Sequence, residues 1–517
     1  MGSLLANLLG RYGLRVLVLE RETAPYALPR AAHLDDEAMR VLQAAGVHEP
    51  VLAESRSLDG LDLVTSTGAV LLRARKVGAE DEPYGFAAAH LIHQPTVERA
   101  LREGVTRFPT VEVRLGRTVE ALAPEADGVA LDVLGPDGPY TATARYVVGC
   151  DGARSTVREA MASPLRGSGF RQRWLVVDVL LTRPVGLPDR LLQIADPKRP
   201  TTYVPFAEPR RRWEFRLRPG EETDTMTRPE SLRALLAAHI DPDAVEIERA
   251  AVYTFHDRIA EGWRTGRMLL AGDAAHEMPP FLGQGLCAGI RDVHNLAWKL
   301  ALVVRGAADP ALLDSVEAER RPHVAAVTRL AVRMGRVMAW PRPLAGLRDG
   351  AFAFLHRLPP THQRLLRIEG DIPRIPLAFA GDWVPDRPIV PQPTVETQDG
   401  RRVLLDTVLS DGFALVGLGV SPRTWAQPDD LPTWATLVTR AVHVIPAGAP
   451  WPETGEGEVA VREVEGILAA WAGVDEGVIV VRPDRHAFGV YGPTAGARAA
   501  EALREALGLH IEAPAVA

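Results

Sequence analysis

Residues 269–300 read LLAGDAAHEMPPFLGQGLCAGIRDVHNLAWKL, and no other stretch constrains the fold so strongly. An apolar strand, 268–271, delivers Gly272 and Asp273; an irregular loop follows, then a long helix. Pro279 and Pro280 stiffen that loop, while Gly283 and Gly285, on either side of Gln284, let backbone amides approach a bound group closely. A purely structural connection has little need of this combination. His276 reads as a residue that structures the loop, because no serine or cysteine of the nucleophile-elbow kind accompanies it. No His or Cys cluster has the spacing of metal ligands.

Working outward, residues 149–161 (GCDGARSTVREAM) follow a similar plan. The apolar run Tyr146, Val147, Val148 ends at Gly149 and turns through Asp151 and Gly152, with Ser155 opening a helix. A helix N-terminus with small residues suits phosphate, and an aspartate there takes hydroxyls or positions amides. An Asp-Gly turn capped by Ser155 is the plainer reading of the same residues. The first 22 residues, MGSLLANLLGRYGLRVLVLERE, read as a helix punctuated by Gly13 and then a strand. The unbroken apolar run 16–19 suits a parallel strand buried on both faces. This is the back half of a dinucleotide-binding βαβ unit, with Gly2 as the third fingerprint glycine and Glu20 as the acid for a ribose hydroxyl. A common helix–strand pair ending in Glu reads the same way.

The whole chain, 517 residues, is long enough for about three domains. With 46% hydrophobic and 24% charged residues it has the composition of an ordinary globular protein. A net charge of −7 argues against nucleic acid or an anionic membrane as the main partner. No apolar run approaches the roughly 18 residues of a membrane span, and no signal peptide is read at the N-terminus. Two cysteines, Cys150 and Cys287, exclude a disulfide framework. The expectation is a cytoplasmic, multidomain protein. Alternating strands are expected at 60–92, mixed strands over 172–254 and helices over 310–370. A proline-rich linker follows at 373–393, and a small α/β domain beyond it.

With LPRAAHLDDEAMRVLQAAGV (28–47) and LIHQPTVERALRE (91–103) between the N-terminal motif and the one at 149–161, the chain resembles the FAD-dependent aromatic (phenol) hydroxylases. These are single-component flavoprotein monooxygenases, and the resemblance is greatest to the 3-(3-hydroxyphenyl)propionate hydroxylases and the polyketide hydroxylases. It implies an α/β fold with a Rossmann-like FAD-binding domain over 1–165 and 255–345. Strands near 60–92 would join a mixed β-sheet substrate domain at 166–254. A helical connection and proline-rich linker (346–389) would lead to a thioredoxin-like C-terminal domain (390–517), structural or an assembly surface because paired cysteines are lacking.

The same resemblance implies residue roles. Gly2 would lie against the FAD pyrophosphate, Glu20 would bind the adenosine ribose, and Arg21 and Arg30 would flank the phosphates and the flavin edge. Gln94 would lie along the ribityl chain, and Asp151 and Gly152 would serve FAD and the approach of NADH or NADPH. Asp273 would bind the ribityl hydroxyls. Pro280 and the amides of Gly283, Gln284 and Gly285 would border the isoalloxazine ring, with Pro280 and Arg30 nearest the chemistry. Tyr203, Trp213 and Phe281 are candidates for the substrate pocket, with Arg211 as partner for a substrate carboxylate; packing is the plainer reading of each. In the implied reaction NAD(P)H reduces FAD, O2 adds to give a flavin hydroperoxide, and a phenol carbon is hydroxylated; no base is identified. The partners are then a small aromatic substrate and O2, with neither nucleic acid nor membrane, and a homodimer is left open.

Three departures from the family pattern stand out: Val316 replaces a usual Tyr, Cys287 a frequent Asn, and the first strand with two fingerprint glycines is absent. That absence would leave neighbouring strands with unpaired edges and the pyrophosphate short of amides. The rival expectation is therefore a truncated remnant that holds FAD weakly or not at all.

Overall fold

The computed structural model describes residues 1–25, 30–58, 60–75, 82–365, 373–381, 383–426, 431–455 and 457–509. Helix α1 (Gly2–Arg11) buries Leu4, Leu5, Leu8 and Leu9, as their spacing requires, and leads through Gly13 (φ +67°) into β1 (Val16–Glu20). Asp35 caps α2 (Asp36–Ala44) by accepting from the Ala38 amide, and α3 (Gln94–Val105) carries Pro95 in its first turn. Among the described residues β1 pairs, in parallel, only with β2 (Val111–Leu115). A separate three-stranded sheet joins β3 (Val147–Gly149) to a later strand. With one neighbour, β1 is not buried on both faces as its apolar run predicts. Leu17, Val113 and Leu115 remain 39%, 40% and 37% exposed.

An eight-stranded sheet forms the middle layer. Its long central pair, β4 (Leu165–Leu181) and β8 (Val245–Ala260), is flanked on the β4 side by β7 (Arg210–Arg216), β6 (Thr201–Val204) and β5 (Leu191–Ile194). Strands Gly60–Val64 and Val70–Arg75 complete that side, the former parallel to β5. Side chains alternate across it. Leu175, Val177, Tyr203, Trp213 and Phe215 pack on Leu232 and Leu236 of helix Pro229–Leu236, while Trp174 packs with Phe281 on the other face.

Strand β9 (Met268–Leu270) is the parallel partner of β3, and α4 (Gln284–Val304) follows the intervening loop. Helix α5 (Asp314–Met338) packs on α4, with Arg320 paired to Asp292. The C-terminal region is a seven-stranded sheet in which β10 (Phe413–Leu418) pairs in parallel with β11 (Val438–Ile445) and antiparallel with β12 (Gly477–Val481). Strand β13 (Ala487–Tyr491) and α6 (Gly496–Leu507) follow. Trp298 of α4 joins the two halves, its ring edge-on to Phe413 at 5.4 Å. No helix among the described residues is long and apolar enough to cross a membrane.

Candidate active site

The two glycine-turn motifs meet because their strands pair. Val147 and Gly149 of β3 lie opposite Met268 and Leu270 of β9, and the Ala271 amide donates to the Gly149 carbonyl at 3.0 Å. Arg158 fastens the turns that follow: its guanidinium donates to the Ala274 carbonyl at 3.0 Å and the Ala153 carbonyl at 2.9 Å. Ser155 caps the short helix that carries it. The start of α1 joins them. A Cβ on Gly2 would lie 3.8 Å from Cys150, and one on Gly272 (φ +63°) would lie 2.7 Å from Met1 Cγ. Helix α4 passes close behind, since a Cβ on Gly289 would come 3.2 Å from the Gly272 Cα.

Asp292 of α4 holds this arrangement together. It accepts from the Gly272 amide at 3.0 Å, lies 2.7 Å from His276 Nε2, and takes Arg320 Nε at 2.9 Å. Burial pushes its carboxyl up, but His276 and Arg320 hold it below the usual range. His276, stacked on Trp263 at 5.5 Å, is thereby committed to the loop. Asp273 and Asp151 are left exposed at the turns, the latter accepting from the Val157 amide at 3.2 Å.

Gly283 begins α4 in the left-handed conformation (φ +66°), and the helix has neither a side-chain cap nor an acid in its first turn. Its first amides are thus available to negative charge. A Cβ at Gly283 would approach the His33 ring to 3.1 Å, whereas Gly285 has ordinary room. Gln284 turns inward to accept from Arg291 at 3.2 Å. Gln94 Oε1 accepts from the Arg30 and Ala31 amides at 3.0 and 2.7 Å, and the Arg30 carbonyl accepts from Arg212 at 2.8 Å. Glu20 ends β1 with its Oε1 on the Glu22 amide, while exposed Arg21 pairs with Glu22.

Of the substrate candidates, Phe281 faces the sheet, edge-on to Trp174 at 5.4 Å and Phe170 at 6.1 Å. Tyr203 and Trp213 are not brought to it; strand alternation turns both to the opposite face, where their rings meet at a tilt of 45° with centroids 5.1 Å apart in the core. Arg211 also points away, donating to the Phe206 and Arg210 carbonyls and pairing with Glu208. The polar residues that do face Phe281's side of the sheet, Gln193, Glu214, Arg212, Asp178 and Arg249, were missed. The signal lay in RRRWEFR: if Trp213 and Phe215 share the core face, Arg212 and Glu214 must share the other.

The residues fit FAD. Small residues line the meeting of α1 with the two turns, exposed carboxylates stand at those turns, and an uncapped helix start adjoins the loop that carries Pro280 and Phe281. No group of three or more potential metal ligands occurs among the described residues.

A family model described as FAD binding domain matches residues 1–331, and one described as HcaD C-terminal domain matches 388–506. The 3-(3-hydroxy-phenyl)propionate/3-hydroxycinnamic acid hydroxylase of Klebsiella pneumoniae (strain 342) is 36% identical, over 94% of this chain and 89% of that protein. The enzyme of the same name from Mycolicibacterium smegmatis is 37% identical, over 94% and 88%. The solved structure of OxyS anhydrotetracycline hydroxylase from Streptomyces rimosus matches with a TM-score of 0.74 and 28% identity, over 98% of this chain and 96% of that one. Site geometry and likeness along nearly the whole chain agree: the chain belongs to the FAD-dependent aromatic hydroxylases, a family of flavoprotein monooxygenases.

Proposed function

We propose that this chain hydroxylates a small phenolic compound, using NADH or NADPH as electron donor and O2 as oxygen source. The observation that carries this reading is the convergence of the start of α1, at Gly2, with the two turns at Asp151 and Asp273, beside an α4 start whose loop sets Phe281 against a partly polar sheet face. FAD supplies the electron transfer and oxygen activation when bound. The protein's part is to hold and shape: Gly2 and the first α1 amides for the pyrophosphate, Glu20 for the ribose, Gln94 and Asp273 for the ribityl chain, and Asp151 with Gly152 for the nucleotides. Arg21 and Arg30 flank that path. Pro280 and the first amides of α4 border the place where negative charge builds, and fixed dipoles there stabilise it without reorganising.

The relatives' names make a hydroxyphenylpropionate or hydroxycinnamate the first substrate class to try, and the likeness to OxyS makes a fused-ring phenol the second. Oxygen uptake with product analysis on both classes tests the reading. Hydroxylated product matched to NAD(P)H consumed supports it; oxidation that no phenol stimulates overturns it. A second reading, a fold that holds FAD weakly, draws on the separation of the parallel strands into two sheets and on Met1 lying against Gly272. FAD per chain after reconstitution decides between them. A cytoplasmic location, where NAD(P)H is abundant, and a homodimer readable by sedimentation complete the proposal.

A further inference from the structure

One row of side chains crosses five strands of the large sheet on the face toward Phe281: Ala251, Val176, Glu214, Thr202 and Gln193, each paired with the next. Directly paired residues share a face, so Glu214 stands in the middle of this row. The Gln193 end reaches the glycine loop. Thr202 Oγ1 donates to Gln193 Oε1 at 2.8 Å, and Gln193 Nε2 donates to the Phe281 carbonyl at 3.4 Å. The neighbouring row on one side holds Trp174, against the Phe281 ring. The row on the other side is charged: Arg212 and Arg249 meet Asp178 at 2.6 and 3.4 Å, and Arg212 also donates to the Arg30 carbonyl at 2.8 Å.

Glu214 therefore lies between the Arg30 segment and the Phe281 loop, the two places that flank the reacting edge in the proposed function. Its side chain is 13% exposed, and its nearest charged partner, Arg212, is 3.7 Å away while making shorter contacts to Asp178 and Arg30. Arg210 and Arg216 on its own strand, Asp178 on β4, and Arg249 and Tyr253 on β8 are further ionisable groups of this face, with Glu248 of β8 paired to Arg210 at 3.4 Å; β5 and β6 supply the neutral Gln193 and Thr202. A carboxylate so placed seeks a donor.

We infer that Glu214 is the proton acceptor for the substrate's ring hydroxyl, an assignment that rests on the hydroxylase reading above. The O–H bond of the phenol breaks as its proton passes to the Glu214 carboxylate. The released electron pair enters the ring and raises the nucleophilicity of the ring carbon, which forms the new C–O bond as the O–O bond of the O2-derived oxidant breaks. The second oxygen keeps that electron pair and leaves as water, its reduction supplied by the two electrons of NAD(P)H. When that carbon loses its hydrogen as a proton to water, the ring regains aromaticity and the first oxygen recovers its proton from Glu214. Burial pushes the Glu214 carboxyl up, Arg212 and Arg249 draw it back, and Asp178 adds to the rise; the net shift is upward, which makes it a better base.

Two measurements test this, on the FAD-reconstituted full chain. In the first, Glu214→Gln lowers hydroxylated product near neutral pH by about 100-fold or more, with FAD content and the anaerobic flavin-reduction rate unchanged. Its residual rate climbs with pH as the free phenol ionises, and Glu214→Asp recovers part of the loss. Product formation within about twofold of wild type, with the same pH profile, overturns the assignment. The second needs no turnover. A bound nitrophenol is titrated by its phenolate absorption band; a hydroxyl beside Glu214 shares one proton with it, so the band appears about one pH unit or more higher in wild type than in Glu214→Gln. Coincident titrations overturn the assignment even if the wild type oxidises no phenol, an outcome that would separately remove the hydroxylase reading.

Discussion

Helix α4 serves two polar clusters that are opposites. At its N-terminus the amides lack a cap, and the turns around them present exposed Asp273 and Asp151. Four turns along, Lys299 meets Glu319 of α5 at 2.6 Å, and Arg482 of the C-terminal region binds Glu319 at 2.8 and 3.0 Å and Asp484 at 2.6 Å. Asn295 bridges Glu319 and Asp484 at 2.7 and 3.1 Å. The charges here are as buried as any in the molecule, yet each has its partner inside the chain. Buried charge alone does not mark a site; a polar group whose partners are missing does.

The contrast predicts that one cluster governs stability and the other cofactor affinity. The largest effect belongs to Glu319→Ala, which leaves Lys299 without a carboxylate in the interior, removes one of the two carboxylates of Arg482, and lowers unfolding free energy by about 3–5 kcal/mol. A denaturant midpoint equal to wild type would break the comparison. Next is Asp406, which ties α2 to the C-terminal region through Arg40 and Arg485. Burial raises its carboxyl, but the two arginines win and hold it at about 2. Because the folded value lies below the unfolded one, its stabilisation is full above pH ~4 and disappears as pH falls toward 2. Asp406→Asn therefore costs about 2 kcal/mol at pH 7 and little at pH 2, as read from urea melts at both. At the open end, Asp273→Ala leaves the melting temperature unchanged and weakens FAD binding about tenfold or more by fluorescence titration. Smallest is Gly272→Ala, whose positive φ and contact with the movable Met1 side chain cost about 1 kcal/mol in the same urea melts.

Turn chemistry is local, which is why the cofactor side of this site is legible in the sequence. Gly272, Asp273, Pro280 and Gly283 lie within a dozen positions of one another, and each carries its conformational reason with it. Sheet faces are not local. Whether Trp213 or Glu214 meets the substrate side depends on which neighbour covers which face, and the aromatic type of Trp213 and Tyr203 suggests a pocket where alternation places a core. The ionic seam is further out of reach, since Glu319 and Arg482 are 163 residues apart and nothing in either segment names the other. Strand β1 fails for a related reason. An apolar run reports what a strand would bury, and only pairing decides how many neighbours it has.

The two sulfur atoms outside methionine have a consequence for durability. Cys287 is fully buried one turn into α4, its Sγ 3.8 Å from the His33 carbonyl and 3.9 Å from that of Gly283, and burial pushes its thiol well up. Burial likewise pushes Cys150, at the DG turn, to about 11. Peroxide attacks the thiolate and scarcely touches the neutral thiol. With both sulfhydryls held protonated, an oxidant released by the proposed oxygen chemistry would meet no thiolate at Cys150 or Cys287.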